Sequence, residues 1–192
     1  RHTRYIGDWS SDVCSSDLTY VSASTKGFLN RNETLDWEFV KRLRDVWPKK
    51  LLIKCVLHPD DASMAASCGV DGIFVSNHAG NVNDSAITAW DALPAISDAV
   101  GSELTIIADT GIRRGSDVLK GIALGADVIA VGRATLYGVA AAGEAGATKA
   151  LEILESEIRR TMAIMGVNRI TDISREHIRL PAELVVSGNK SQ

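Results

Sequence analysis

The chain has 192 residues, 45% of them hydrophobic and 23% charged, with 16 glycines and only 4 prolines, the composition of a soluble α/β domain with one sizeable core. A formal net charge of -3 and the lack of any basic run give no electrostatic case for nucleic acid as a partner. No apolar stretch approaches the ~20 residues that span a bilayer. The three cysteines, Cys14, Cys55 and Cys68, form an odd count without metal-ligand spacing, which points to reduced thiols in a cytoplasmic setting.

Residues 1–18 stand apart from the rest. Arg1 to Arg4 and Asp8 to Leu18 read like a translated sequencing adapter, a non-native head with no apolar periodicity and no signal-peptide core. On that reading the protein began upstream and this chain is a piece of it. Residues 19–34 are polar and aperiodic and are expected to form a loop.

Thr34 and Asp36 bracket a helix start, after which Trp37, Val40, Leu43 and Val46 recur at helical spacing until Pro48. Leu51 to Val56 is an apolar run interrupted by Lys54, read as a buried strand. His58-Pro59-Asp60-Asp61 opens a second helix, because proline is tolerated in a first turn and acids favour its positive end. Gly69 closes it. Ile73, Phe74 and Val75 then form a continuous apolar run, the pattern of a parallel strand covered on both faces, which stops at Ser76-Asn77-His78. After a loop at residues 79–85, Ala89 to Val100 reads as a helix and Thr105 to Asp109 as a strand. Ser116 is expected to cap a helix running to Leu124, with Gly125 just past it. Val128 to Val131 is a fourth strand. A long last helix carries Leu151, Leu154, Ile158, Met162 and Met165 on one face and ends at Gly166; from Asn168 the polar tail is expected to be partly ordered at best.

Four apolar strands thus alternate with helices at intervals of roughly 20 to 33 residues, the rhythm of βα units with parallel strands. No sequence repeat accompanies them. Three places carry chemistry. Asp109-Thr110-Gly111-Ile112-Arg113-Arg114-Gly115-Ser116 joins a strand end to a helix start, where glycines let backbone approach an anion and free N–H groups point at it. Val131-Gly132-Arg133 repeats the glycine–arginine pairing after the next strand. Either one alone is also what a glycine turn with a surface arginine looks like. The pair on consecutive strands favours a phosphate site and the last quarter of a TIM barrel over Rossmann or flavodoxin-like folds. The third place is Lys54 with His78. A lysine in an apolar strand needs an anion for its ammonium unless it snorkels to the rim, and a histidine at a strand end can exchange protons near neutral pH. With no dinucleotide fingerprint, a phosphate-tethered flavin is the economical cofactor.

Ile53-Lys54, Ser76-Asn77-His78, Asp109 to Gly115, Asp117 to Lys120, Ala123 to Ala126 and Val131-Gly132-Arg133 closely resemble the FMN-dependent α-hydroxy acid dehydrogenases and oxidases. Ala134 to Gly138 and Gly143 to Gly146 look most like the bacterial mandelate and lactate dehydrogenase branch. The resemblance covers residues 35–173, leaving 174–192 as a tail, and implies the C-terminal half of a (β/α)8 barrel. It implies FMN as cofactor, with Lys54 at the ring edge, Ser76 against the ring and Asp109 on ribityl hydroxyls. Gly111, Arg113, Gly132 and Arg133 would line the phosphate, and Thr110 and Ile112 would also bind the cofactor. His78 would be the catalytic base and would bind substrate together with Asn81. The implied reaction is oxidation of an L-2-hydroxy acid to the 2-oxo acid, with electrons passing to a quinone, a cytochrome or oxygen. The implied assembly is a homo-oligomer, a tetramer in the full-length family, and the implied location is cytoplasmic or peripheral at the inner face of the membrane.

Two departures stand out. The family pattern places an arginine where this chain has Asn81, so the charged clamp on a substrate carboxylate is lost. Cys55 stands where a glycine usually follows the lysine. Two other readings remain: a different phosphate-binding barrel, of the type 2 isopentenyl diphosphate isomerase or IMP dehydrogenase kind, and an FMN-binding module without turnover. The implied fragment is expected to be inactive alone, because the first four strands and their site residues are absent.

Overall fold

The computed structural model describes residues 36–81 and 83–180. The adapter-like head, the loop expected at residues 19–34 and the last part of the tail lie outside the described residues.

Helix α1 spans Trp37–Val46 and is capped by the Asp36 carboxylate, which accepts the Phe39 N–H. Strand β1 is Leu52–Lys54, followed by α2 at Pro59–Ser67 and β2 at Gly72–Val75. Helix α3, Ala89–Val100, leads to β3 at Thr105–Ala108. Helix α4, Gly115–Ala123, leads to β4 at Val128–Ile129, and α5 covers Arg133–Met165. The sheet order is β1-β2-β3-β4 and every pair is parallel, with Ile53 opposite Ile73, Ile73 opposite Ile106 and Ala108 opposite Ile129. Strands that neighbour in space in the order they occur in sequence belong to a barrel wall; a doubly wound sheet would reverse direction at a switch point.

The core lies between this sheet and its helices. Ile53, Ile73, Leu93, Ile96 and Ile106 are all within 1% of full burial. Each contributes roughly 1.5–3 kcal/mol by leaving water. Alternating small residues on α2 and α3, among them Ala62, Ala65, Ala89 and Ala92, let those two helices pack closely.

A short recurrence holds the strand starts in register. Gly69-Val70-Asp71 and Gly125-Ala126-Asp127 follow α2 and α4 respectively. Each glycine takes positive φ (73° and 109°), each middle residue is buried, and each aspartate reaches back to the strand before. The Leu51 N–H donates to the Asp71 carboxylate at 2.9 Å and the Ile106 N–H to that of Asp127 at 2.8 Å. The aspartate N–H groups return the bond, to Leu51 O and Ile106 O.

Several expected elements are adjusted. The strands expected at 51–56, 105–109 and 128–131 are shorter, and the first stops because Cys55 turns to φ 66°. Ser116 does not cap α4: Arg114 holds the cap position, and Ser116 sits inside the first turn. The last helix is two helices joined at Ala142–Gly143, where φ/ψ leave the helical range. Gly138 and Gly146 press backbone to backbone at this fold-back, so a Cβ on Gly138 would stand 2.4 Å from the Gly146 carbonyl oxygen. On the expected apolar face Leu154 is buried, and Ile158, Met162 and Met165 pack around Leu119 and Ile173, but Leu151 is exposed. Within the described residues the tail is held in place. Arg175 pairs with both Asp98 carboxylate oxygens (2.7 and 3.2 Å) and donates to Pro94 O, and Ile173 is buried.

Candidate functional site

Because the strands are parallel and in register, everything that follows a strand end lies on one rim of the sheet. Lys54 closes β1, Ser76 and His78 follow β2, Asp109 to Arg113 follow β3, and Gly132–Arg133 follow β4. Lys54 Nζ lies 3.5 Å from Ser76 Oγ and 3.8 Å from Asp109 Oδ2. The Asp109 pairing offsets the cost of a half-buried ammonium; Lys54 does not simply snorkel away. Ser76 is fully buried, and its hydroxyl also accepts the His78 N–H at 3.2 Å. Asp109 Oδ1 accepts the Thr110 hydroxyl at 2.7 Å.

Backbone strain gathers on the same rim. Among the described residues, positive φ at non-glycine positions occurs at Cys55, His78, Ala79 and Thr110, all just beyond strand ends. Such conformations cost on the order of 1–3 kcal/mol each and persist only where their surroundings hold them. His78, Ala79 and Gly80 form a tight turn, and the exposed Asn81 donates its N–H to His78 O at 3.1 Å. Burial pushes the Cys55 thiol up, against the opposing pull of Lys54, so it stands as a protonated thiol beside the lysine at 3.9 Å.

The start of α4 differs from the sequence-based expectation of free N–H groups. The N–H groups of Arg113 and Arg114 both donate to Asp117 Oδ2 at 3.1 Å, and that of Gly115 donates to Glu157 Oε2 at 2.7 Å. Burial pushes the Asp117 carboxyl up, but these N–H groups and Lys120 outweigh it and hold it below the usual range. The Gly115 N–H and the Arg114 guanidinium likewise hold Glu157 low. The helix end is therefore already satisfied by two carboxylates. What remains for an anion is the turn before it and the loop after β4. The N–H groups of Gly111, Ile112, Gly132 and Arg133 enter none of the turn and cap bonds among the described residues. A Cβ on Gly132 would meet nothing within 4 Å, and Gly111 has φ 79°. Ile112 buries its side chain, which leaves its backbone as the part able to meet a ligand. Arg113 and Arg133 are exposed and in no ion pair among the described residues, whereas Arg114 is engaged by Glu157 at 2.9 Å.

Trp90 escaped sequence reading. From the first turn of α3 its indole Nε1 donates to Thr110 O at 2.9 Å. Asp117 is foreshadowed by its place three residues after the cap. Nothing local marks Trp90 or Glu157, which act 20 and 42 residues away along the chain.

An ammonium beside a buried hydroxyl and a carboxylate, with glycine–arginine turns on the same rim, thus sits on the wall of a partial βα-barrel. The chain belongs to the FMN-dependent dehydrogenase family, whose family model matches residues 8–180. It is 46% identical over 145 residues to L-lactate dehydrogenase of Caulobacter vibrioides and 44% over 149 residues to that of Yersinia pestis, covering 76% and 78% of this chain. It spans about two fifths of the length of those curated relatives, 38% and 39%. A soluble mutant of the membrane-associated (S)-mandelate dehydrogenase from Pseudomonas putida superposes with TM-score 0.74 at 38% identity, over 83% of this chain and 46% of that one. FMN is the cofactor of the family, and the donor set here fits it: a cation, a carboxylate, and two exposed arginine guanidinium groups in no ion pair among the described residues.

Proposed function

We propose that this chain is the cofactor-phosphate half of an enzyme that uses FMN to oxidise an L-2-hydroxy acid, lactate- or mandelate-like, to the 2-oxo acid. The observation that carries this reading is the convergence of Lys54, Ser76, His78 and Asp109 on the rim that also bears both glycine–arginine turns. Bound FMN supplies the acceptor for the two electrons that leave the substrate α-carbon. Lys54 sets positive charge beside the ring edge, and Ser76 orients it through their 3.5 Å contact. Asp109 accepts hydrogen bonds from ribityl hydroxyls. The backbone at Gly111, Ile112, Gly132 and Arg133, with the Arg113 and Arg133 guanidinium groups, holds the phosphate; Thr110 sets the turn that presents it. The His78 imidazole takes a proton from the substrate. Asn81 offers the substrate a neutral hydrogen-bonding group where a guanidinium would give charge.

The electron acceptor is a quinone, a cytochrome or oxygen, and the full-length protein is a homo-oligomer, a tetramer. It resides in the cytoplasm or peripherally at the membrane; no helix among the described residues is long and apolar enough to cross one. The test is anaerobic mixing of the full-length protein with L-lactate or (S)-mandelate. Bleaching of the flavin absorbance, abolished by His78→Gln, is the expected result. A bound flavin that neither acid bleaches would leave an FMN-binding module without turnover.

A further inference from the structure

The turn between β3 and α4 holds two successive residues in the left-handed region, Thr110 at φ 78° and Gly111 at φ 79°. Glycine accepts this freely, but a β-branched threonine does not, so something must hold Thr110 there. Its hydroxyl is tied to Asp109, a neighbour in the same turn. The hold from outside the turn is the Trp90 indole, whose Nε1–H donates to the Thr110 carbonyl at 2.9 Å. Trp90 is itself fixed. Its ring lies so close to Gly121 of α4 that a Cβ there would stand 2.9 Å from Cζ3, and Trp90 packs against the main core cluster. The indole thus joins α3, α4 and the turn, and Nε1 lies 3.6 Å from the place a Gly111 Cβ would take.

We infer that Trp90 is the positioning residue of the cofactor-phosphate turn: its indole N–H fixes the Thr110–Gly111 backbone so that the following N–H groups face the phosphate. This rests on the FMN reading above, and it assigns the selectivity for a phosphorylated flavin in part to a residue that touches no ligand. Because the Arg113, Arg114 and Gly115 N–H groups are consumed by carboxylates, phosphate recognition depends on the turn itself, and the turn depends on its brace.

The experiment compares Trp90→Phe, which keeps a ring but removes the donor, with the unaltered protein, both at full length. Dissociation constants for FMN and for riboflavin, which lacks the phosphate, are measured by equilibrium dialysis. The unaltered chain should prefer FMN, and the variant should lose about fivefold of that preference, the typical worth of one hydrogen bond. Trypsin provides a readout that needs no flavin, since Arg113 and Arg114 are exposed in this turn. Cleavage there should accelerate several-fold relative to cleavage at Lys149 and Arg159 on α5. An unchanged FMN-to-riboflavin ratio with unchanged cleavage at the turn overturns the inference. A uniform rise at all tryptic sites also overturns it, because Trp90 would then be a core residue only. If the unaltered chain does not distinguish FMN from riboflavin, the phosphate reading falls, and the relative cleavage rate alone decides whether Trp90 braces the turn.

Discussion

Asp71 shows how much one carboxylate carries at the end of a strand. Lys50 at 2.7 Å, the Leu51 N–H at 2.9 Å and Arg44 at 2.9 Å together hold its carboxyl at about 2, against an ordinary 3.8. A folded-state value below the unfolded one means that the stabilisation is complete above the unfolded value and is lost as pH falls from 3.8 toward 2. Asp71→Asn should therefore lower the urea midpoint at neutral pH and flatten the acid dependence in that window. Equal midpoints at all pH values would show that the register does not depend on this group. Lys54 is tested in the full-length protein. Replacement by Met removes the charge beside the proposed ring edge, and the flavin reduction potential should drop by some tens of millivolts, about 30 mV per 1.4 kcal/mol for a two-electron couple. Dye-equilibration potentials that coincide with those of the unaltered protein would remove Lys54 from its proposed role.

At the scale of elements, α4 and α5 are locked by one absent side chain. A Cβ on Gly115 would stand 2.5 Å from the Ile158 N and 2.6 Å from the Glu157 Cβ. The same close approach lets Glu157 accept the Gly115 N–H, so packing and capping are one device. Gly115→Ala should force the helices apart at a cost of roughly 1–3 kcal/mol, the usual range for overpacking, and should weaken the Glu157 cap with it. Urea denaturation measures the first effect. The second appears as a rise of the Glu157 carboxyl toward its ordinary value in an NMR titration, and a Glu157 that stays depressed would separate the two.

At the scale of the whole molecule, β1 and β4 each have a strand neighbour on one side only among the described residues. Large apolar residues face solvent: Ile164 is 81% and Leu151 52% exposed, and Val128, Leu136 and Tyr137 join them. Open edges and apolar surface beyond a few hundred Å² drive association. The chain expressed alone should self-associate, bind FMN weakly and show no 2-hydroxy acid oxidation. Sedimentation velocity and an anaerobic flavin-reduction assay test this. A monodisperse monomer with tightly bound flavin that a 2-hydroxy acid bleaches would refute it.

The order and type of the elements were legible in the sequence because they follow from local patterns. Apolar runs such as Ile73 to Val75 can be only strands or buried helix turns, and the intervening periodic stretches with their glycine stops decide between the two. Parallel pairing then places Lys54, His78, Asp109, Gly111 and Arg133 on one rim without any knowledge of distances. What the tertiary structure alone decided is how that rim is held. Strands ended early where Cys55 and Thr110 turn left-handed, a conformation that no local preference of cysteine or threonine predicts. The N–H groups of α4 were expected to be free, and proved to be filled by Asp117 and by Glu157 from 42 residues away. The tail after Asn168 looked polar and loose, yet Arg175 ties it to Asp98 across 77 residues. The Glu157 and Arg175 bonds join segments distant in sequence, and side-chain hydrogen bonds of that kind leave no periodicity in the chain for a reader to find.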